Sequence, residues 1–197
     1  MMPLRRQIAE EAAMIVWEEG VADYHQARAK ACERLGVSGT REMPRNTEVE
    51  AALLAWLALF ATDEDRERLA FLRRTAVDVM RFFGAFEPRL VGSVLKGTAG
   101  PYSDIQLHLF SDDVEAVAIA LLDHRIRYRA ITRRQAGGRR DGVPGFAFDW
   151  RDVPVEVLVF PVDGLRASPP SPIDGRPVKR ATVARVERLL AESAAQL

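Results

Sequence analysis

The sequence predicts an α+β fold, on three observations. Residues 4–83 carry apolar side chains at helical spacing, with glycines or capping residues at the segment ends. After Gly84 the period shortens to two, over residues 104–110, 146–150 and 153–159. A final helical pattern follows a proline-rich stretch at 169–177. The reading is a helical N-terminal region over 1–86 and a second region of strands with flanking helices over 87–197.

Each element has a local cause. Segments 4–19 and 22–35 are helical patterns closed by Gly20 and Gly36, residues that tolerate the left-handed conformation of a helix end. Asn46 is placed as the N-cap of a third helix, with Glu48 and Glu50 in its first turn. Val49, Leu53, Trp56, Leu57 and Phe60 form its apolar stripe. Thr62 and Asp65 have capping-box spacing and open a fourth helix, whose stripe is Leu69, Leu72, Ala76, Met80 and Phe83. Leu90-Val91 reads as a short strand running into Gly92, and Asp104 to Phe110 as a strand. Ser111, with Asp112 and Asp113 behind it, is expected to cap a helix over 112–124; residues 126–133 are a further candidate strand. Gly137, Gly138 and Gly142 mark a loop. The strands around Phe146–Trp150 and Val153–Val159 are expected to form a hairpin with Arg151-Asp152 as its turn. The last helix buries Val183, Val186, Leu189 and Leu190.

Composition narrows the function classes. The chain has 197 residues, 48% of them hydrophobic and 28% charged, which is ordinary for a globular domain. Net charge is zero, so no polyanion partner is indicated by the totals. The single cysteine, Cys32, excludes an intramolecular disulfide and fits a reducing compartment. The first residues turn charged at once, and the longest apolar run, 51–61, is far short of the ~20 residues of a membrane helix. These features predict a cytoplasmic protein with no membrane partner.

Between Gly92 and Glu156 the residue types suit phosphate chemistry. Gly92 lets backbone approach a phosphate, Ser93 adds a hydroxyl and an N–H at a helix start, and Lys96 lies within reach of the same group. Carboxylates two apart on a strand point to one side and can jointly hold Mg²⁺; a third on another strand completes such a site or accepts a proton. The run Gly92-Ser93-Val94-Leu95-Lys96-Gly97-Thr98, followed by Ser103-Asp104-Ile105-Gln106-Leu107, resembles the nucleotidyltransferase superfamily that includes DNA polymerase beta, in the form of a divergent bacterial member. The resemblance covers roughly residues 88–160. It implies a mixed sheet with flanking helices, an NTP substrate, an unknown acceptor and Mg²⁺. It also implies that Gly92 and Ser93 bind triphosphate, that Asp104 binds metal, and that Glu156 is the third carboxylate.

The departure is Gln106, which stands where the family has its second carboxylate. A neutral amide oxygen is a poorer Mg²⁺ ligand, so the alternative is a catalytically impaired nucleotide- or phosphate-binding protein on the same fold. Asp149 is a substitute metal ligand if Arg151-Asp152 is a two-residue turn, because it then faces Pro154 on the Glu156 side of the sheet. His108 shares the face of Asp104 and Gln106 and reads as a satisfied structural histidine. Arg125, Arg127 and Arg129 alternate, with Arg133, Arg134, Arg139 and Arg140 beyond them. They suit either an interaction module for nucleic acid or protein, or a charged, solvated edge strand. The zero net charge disfavours nucleic acid.

Overall fold

A computed structural model describes residues 2–21, 23–37, 41–134 and 142–194. Among them the chain forms seven α-helices and one five-stranded mixed sheet, an α+β fold. Gly137 and Gly138 of the expected loop, and the last two arginines, Arg139 and Arg140, lie outside the described set.

Contacts divide the chain into two units. The first comprises residues 1–66, 98–103 and 172–174. It contains α1 (Leu4–Glu19), α2 (Tyr24–Arg34) and α3 (Asn46–Phe60). Its core gathers Ile8, Ala12, Ile15, Ala27, Ala31, Val49 and Leu53, all essentially inaccessible. Two local expectations change here. Arg45, not Asn46, is the N-cap of α3, where its N–H donates to Glu48 at 2.7 Å; Asn46 instead donates its amide to the Pro172 carbonyl at 2.8 Å. Phe60, expected in the buried stripe, is 60% exposed because the stripe drifts outward at the end of the helix.

Helix α4 (Asp63–Phe82) begins in the first unit and continues from Glu67 in the second. Thr62 and Asp65 exchange the expected capping bonds, Thr62 N–H to Asp65 Oδ2 at 3.0 Å and Asp65 N–H to Thr62 Oγ1 at 3.2 Å. By contacts, residues 67–86 group with the sheet.

The second unit holds β1 (Arg89–Val91), α5 (Gly92–Lys96), β2 (Ile105–Phe110), α6 (Val114–Asp123), β3 (Tyr128–Arg133), β4 (Val143–Trp150), β5 (Val153–Phe160) and α7 (Val183–Ala194). The strand order is β1-β2-β5-β4-β3, with β2 and β5 parallel and the other pairs antiparallel. The β4–β5 hairpin has the expected register: Trp150 pairs with Val153 and Asp149 with Pro154. Arg151 (φ 49°) and Asp152 (φ 66°) both take positive φ, the signature of a type I′ turn without its usual glycine.

One face of the sheet is apolar over its central strands. Ile105, Leu107, Leu109, Val155, Val157, Phe146 and Phe148 are all buried on it. Phe83 meets Phe148 at 6.0 Å and Phe82 meets Trp150 at 5.1 Å, so the end of α4 covers this face. The opposite face carries the polar residues of the site.

Three boundaries move. Asp104 precedes β2 and is not its first residue. The third strand begins at Tyr128, not 126, because Arg125 takes φ 56° in the turn after α6. The cap of α6 is Asp113, which accepts from Glu115 and Ala116 N–H groups, and not Ser111. Asp112 is no helix-cap acid, since its Oδ1 accepts from Val162 N–H at 3.1 Å. The proline-rich stretch closes on itself through a Pro170–Pro177 bridge.

Candidate functional site

The register puts the candidate residues on one face. Pairing of Val91 with Gln106, Gln106 with Glu156 and Glu156 with Ala147 gives these side chains a common side. Asp104, two residues before Gln106, joins them. Along this face Asp104, Gln106, Ala147 and Glu156 are only half-buried, while His108 is 4% exposed.

Gly92 begins α5 with φ 73°, a conformation that favours glycine. A Cβ there would stand 2.5 Å from Gln106 Oε1 and 3.2 Å from its Cδ. The Gln106 carboxamide therefore lies directly against the Gly92 backbone. Its other end, Nε2, donates to Asp104 Oδ1 at 3.1 Å. Only this amide orientation can bond an ionised carboxylate, since the amide oxygen has no proton to give. The N-cap of α5, Val91, has no side-chain acceptor for the first-turn N–H groups. Lys96 ends the helix, on its exposed side.

The far end of α5 is held from below. Arg73 on α4, 7% exposed, donates from Nε to the Val94 carbonyl at 3.2 Å and from Nη2 to the Leu95 carbonyl at 3.4 Å. A guanidinium at these carbonyls satisfies helix-end acceptors and complements the negative end of the helix dipole. Burial pushes its pKa down, with Glu192 opposing. The sequence does signal Arg73: it sits one turn after Leu69 and ahead of Ala76 on the apolar side of α4.

Glu156 makes a two-pronged ion pair with Arg133. Nε donates to Oε1 at 2.9 Å, and Nη2 donates to Oε2. The Glu156 side chain is 13% exposed and that of Arg133 is 53% exposed. Asp104 is pushed above the ordinary carboxylate range, first by burial and then by the nearby negative charge of Glu156; its bond from Gln106 and the charge of Arg133 act against this. Arg133 is raised by its bond to Glu156 and by the fields of both carboxylates. The two acids and the guanidinium thus form one electrostatic cluster.

Asp149 shares this face but is exposed. It pairs with Pro154, and Val155 pairs with Ile105, so two strand spacings, or about 10 Å of sheet, separate it from Asp104. His108 Nδ1 accepts from Arg180 Nε at 3.0 Å, and burial, then the Arg180 charge, lowers its pKa to about 3. It is a neutral, satisfied histidine, the structural role the sequence suggested for it. Arg180 also stacks over Phe110 at 4.8 Å and Phe160 at 5.2 Å.

Sequence reasoning set Arg133 in a run of arginines and assigned it no carboxylate. The structure separates that run: Arg125 and Arg127 precede β3, while Arg129 and Arg133 lie on it, facing Ala147 and Val143 of β4. Alternation from Arg129 was the available signal, but the partner depended on the β3–β4–β5 register.

A Mg²⁺ site of the expected kind does not fit these donors. Position 106 presents an N–H toward Asp104 where a lone pair is needed, and both Glu156 oxygens are engaged by Arg133. Among the described residues, no group of three or more His, Cys, Asp or Glu side chains converges as a metal site. A groove of about 930 Å³ between α1 and α3 in the first unit is lined by none of Gly92, Ser93, Lys96, Asp104, Asp149 and Glu156. No helix among the described residues is long and apolar enough to cross a membrane. No family model matches the chain, and no curated protein matches it.

Proposed function

We propose that this chain is a nucleotide-binding protein built on a nucleotidyltransferase-like scaffold, with the phosphates received at the Gly92–Lys96 turn. The observation that carries the reading is the packing at Gly92. A positive-φ glycine opens a helix whose first-turn N–H groups lack a side-chain cap, immediately beside the strand that follows Asp104. Positive-φ glycines and uncapped helix starts are the usual means of bringing backbone donors to a phosphate. Ser93 and Lys96 add a hydroxyl and a cation on the same short helix. Asp104, on the same face, suits a hydroxyl group of a sugar, for which a carboxylate is a strong acceptor.

A second reading is Mg²⁺-dependent transfer of a nucleotidyl group to an acceptor. Its favouring observation is that Asp104 and Glu156 lie near each other on one face of parallel neighbours β2 and β5. In that reading Asp104 and Glu156 hold the ion, with Asp149 as an auxiliary, and the ion supplies charge stabilisation at the phosphates. The donor set described above weighs against it.

Thermal shift with ATP, GTP, CTP and UTP, each with EDTA and with Mg²⁺, separates the readings. Stabilisation that ignores metal is expected. Stabilisation confined to the Mg²⁺ samples favours transfer, and no stabilisation by any nucleotide removes both.

A further inference from the structure

The mismatch between the carboxylates and a metal ion has its own explanation in Arg133. We infer that the Arg133 guanidinium is a built-in counter-cation for the Asp104–Glu156 pair and excludes divalent metal from it. The inference deepens the nucleotide-binding reading by making that binding metal-independent, but the geometry behind it involves no nucleotide.

Three observations converge. The guanidinium takes both oxygens of Glu156 in the bidentate geometry that is the strongest form of such a pair. Its field reaches Asp104 as well, so one cation serves two carboxylates, one just before β2 and one on its neighbour β5. Gln106 then finishes the arrangement: a carboxylate at this position would leave the cluster short of positive charge, whereas the amide donates to Asp104 and adds none. With Gln106 neutral, Arg133 offsets one of the two carboxylate charges, whereas a third carboxylate would leave two of them unmatched.

Mg²⁺ and Mn²⁺ demand oxygen ligands in near-octahedral geometry at about 2.1 Å. On entry either ion would sit beside the guanidinium and would find on Glu156 only the lone pairs that Arg133 leaves. The backbone that carries Arg133 is held, because β3 pairs with β4 along its whole length, with Arg133 itself opposite Val143. A guanidinium also cannot be deprotonated to make room, unlike a lysine or histidine.

The test is a titration with Mn²⁺ alone, followed by isothermal calorimetry and by the loss of the free-ion EPR signal. The wild type is expected to bind no Mn²⁺ tighter than about 1 mM. Arg133→Gln is expected to bind at least tenfold tighter, and the gain is expected to vanish in Arg133→Gln/Glu156→Gln. Arg133→Lys, which keeps the charge, is expected to stay near the wild type. Arg133→Met replaces the glutamine variant if that fails to fold, with circular dichroism as the check. Tight Mn²⁺ binding by the wild type, or no gain in folded Arg133→Gln or Arg133→Met, overturns the inference. A lysine variant that binds like the glutamine variant also overturns it, because the exclusion then does not come from charge. Failure of nucleotide binding leaves these outcomes untouched.

Discussion

Gly92→Ala isolates the packing on which the phosphate-binding reading stands. The new methyl meets two obstacles. At φ 73° an L-residue pays about 1–2 kcal/mol for the left-handed conformation. Its Cβ would also lie 2.5 Å from Gln106 Oε1, so the carboxamide must swing away and give up its bond to Asp104. A hydrogen bond to a charged group contributes roughly 1.5–3 kcal/mol. Together these give an expected loss of roughly 2.5–5 kcal/mol. Gly175 provides the control in the same unit: it has φ 70° with nothing within 4 Å of a new Cβ. Gly175→Ala is therefore expected to lose only the backbone part, about 1–2 kcal/mol. In a Gln106→Ala background, Gly92→Ala should fall to the Gly175 value, since the side chain it displaces is gone. Guanidinium unfolding monitored by circular dichroism reads all of these, and the double-mutant cycle gives the coupling between positions 92 and 106. If Gly92→Ala costs no more than Gly175→Ala, or the cycle shows no coupling, the carboxamide does not rest on Gly92 and the reasoning fails.

Further predictions concern the groups around the site. His108 has a pKa lowered from its ordinary 6.5 to about 3, so the unfolded chain takes up a proton that the folded one refuses. Its contribution is intact above pH 6.5 and is lost as pH falls toward 3, at up to about 1.4 kcal/mol per pH unit. His108→Gln keeps an acceptor for Arg180 and should flatten the fall in stability between pH 6 and pH 4 as measured by denaturant unfolding; an unchanged slope would contradict a buried neutral imidazole. Asp104 is raised, which has the opposite sign: its charged form costs stability once pH rises through its folded pKa. Asp104→Asn should melt at a higher temperature than the wild type at pH 7, and that gain should shrink toward pH 3; a lower melting temperature at pH 7 would contradict the sign. Arg73→Met should destabilise by about 2–4 kcal/mol, because it strands the Val94 and Leu95 carbonyls in a buried place. A loss below about 1 kcal/mol in urea unfolding would mean that those carbonyls find other donors.

The β4–β5 hairpin was legible because alternation forces it. Val153, Val155, Val157 and Val159 share one buried face, and a two-residue turn at Arg151-Asp152 then brings Asp149 opposite Pro154. The capping exchange at Thr62 and Asp65 was legible for a similar reason, since it needs nothing beyond three residues of helix. Asn46 and Ser111 misled because good capping types have other partners on offer: the Pro172 carbonyl for Asn46, and Asp113 as a better placed cap beside Ser111. The start of β3 was beyond reach of a pattern, because Arg125 adopts a positive φ that its residue type does not announce; its end at Arg133 is where the sequence put it.

The site divides along the same line. Gly92, Gln106 and Asp104 lie close in sequence, and period-two alternation placed the last two on a common face. The Arg133–Glu156 pair crosses from β3 to β5 with β4 between, so it follows only once three strands are in register. Arg73 reaches α5 from another helix, and nothing at position 94 or 95 hints at a buried guanidinium beneath their carbonyls. Position 106 shows how a departure from a pattern acquires meaning. As a sequence letter Gln106 is a missing charge; in the fold it is a donor to Asp104, beside a glutamate that already has its cation.

The central claim is that the Gly92–Lys96 turn receives the phosphates of a nucleotide and needs no metal to do so. Isothermal titration of ATP into the wild type in EDTA, repeated with Ser93→Ala/Lys96→Ala, tests it most directly. Saturable binding in EDTA, unchanged by added Mg²⁺ and weakened at least tenfold in the double variant, is the predicted result. Absence of binding by ATP and by inorganic triphosphate under both conditions, or binding indifferent to the two substitutions, would contradict it.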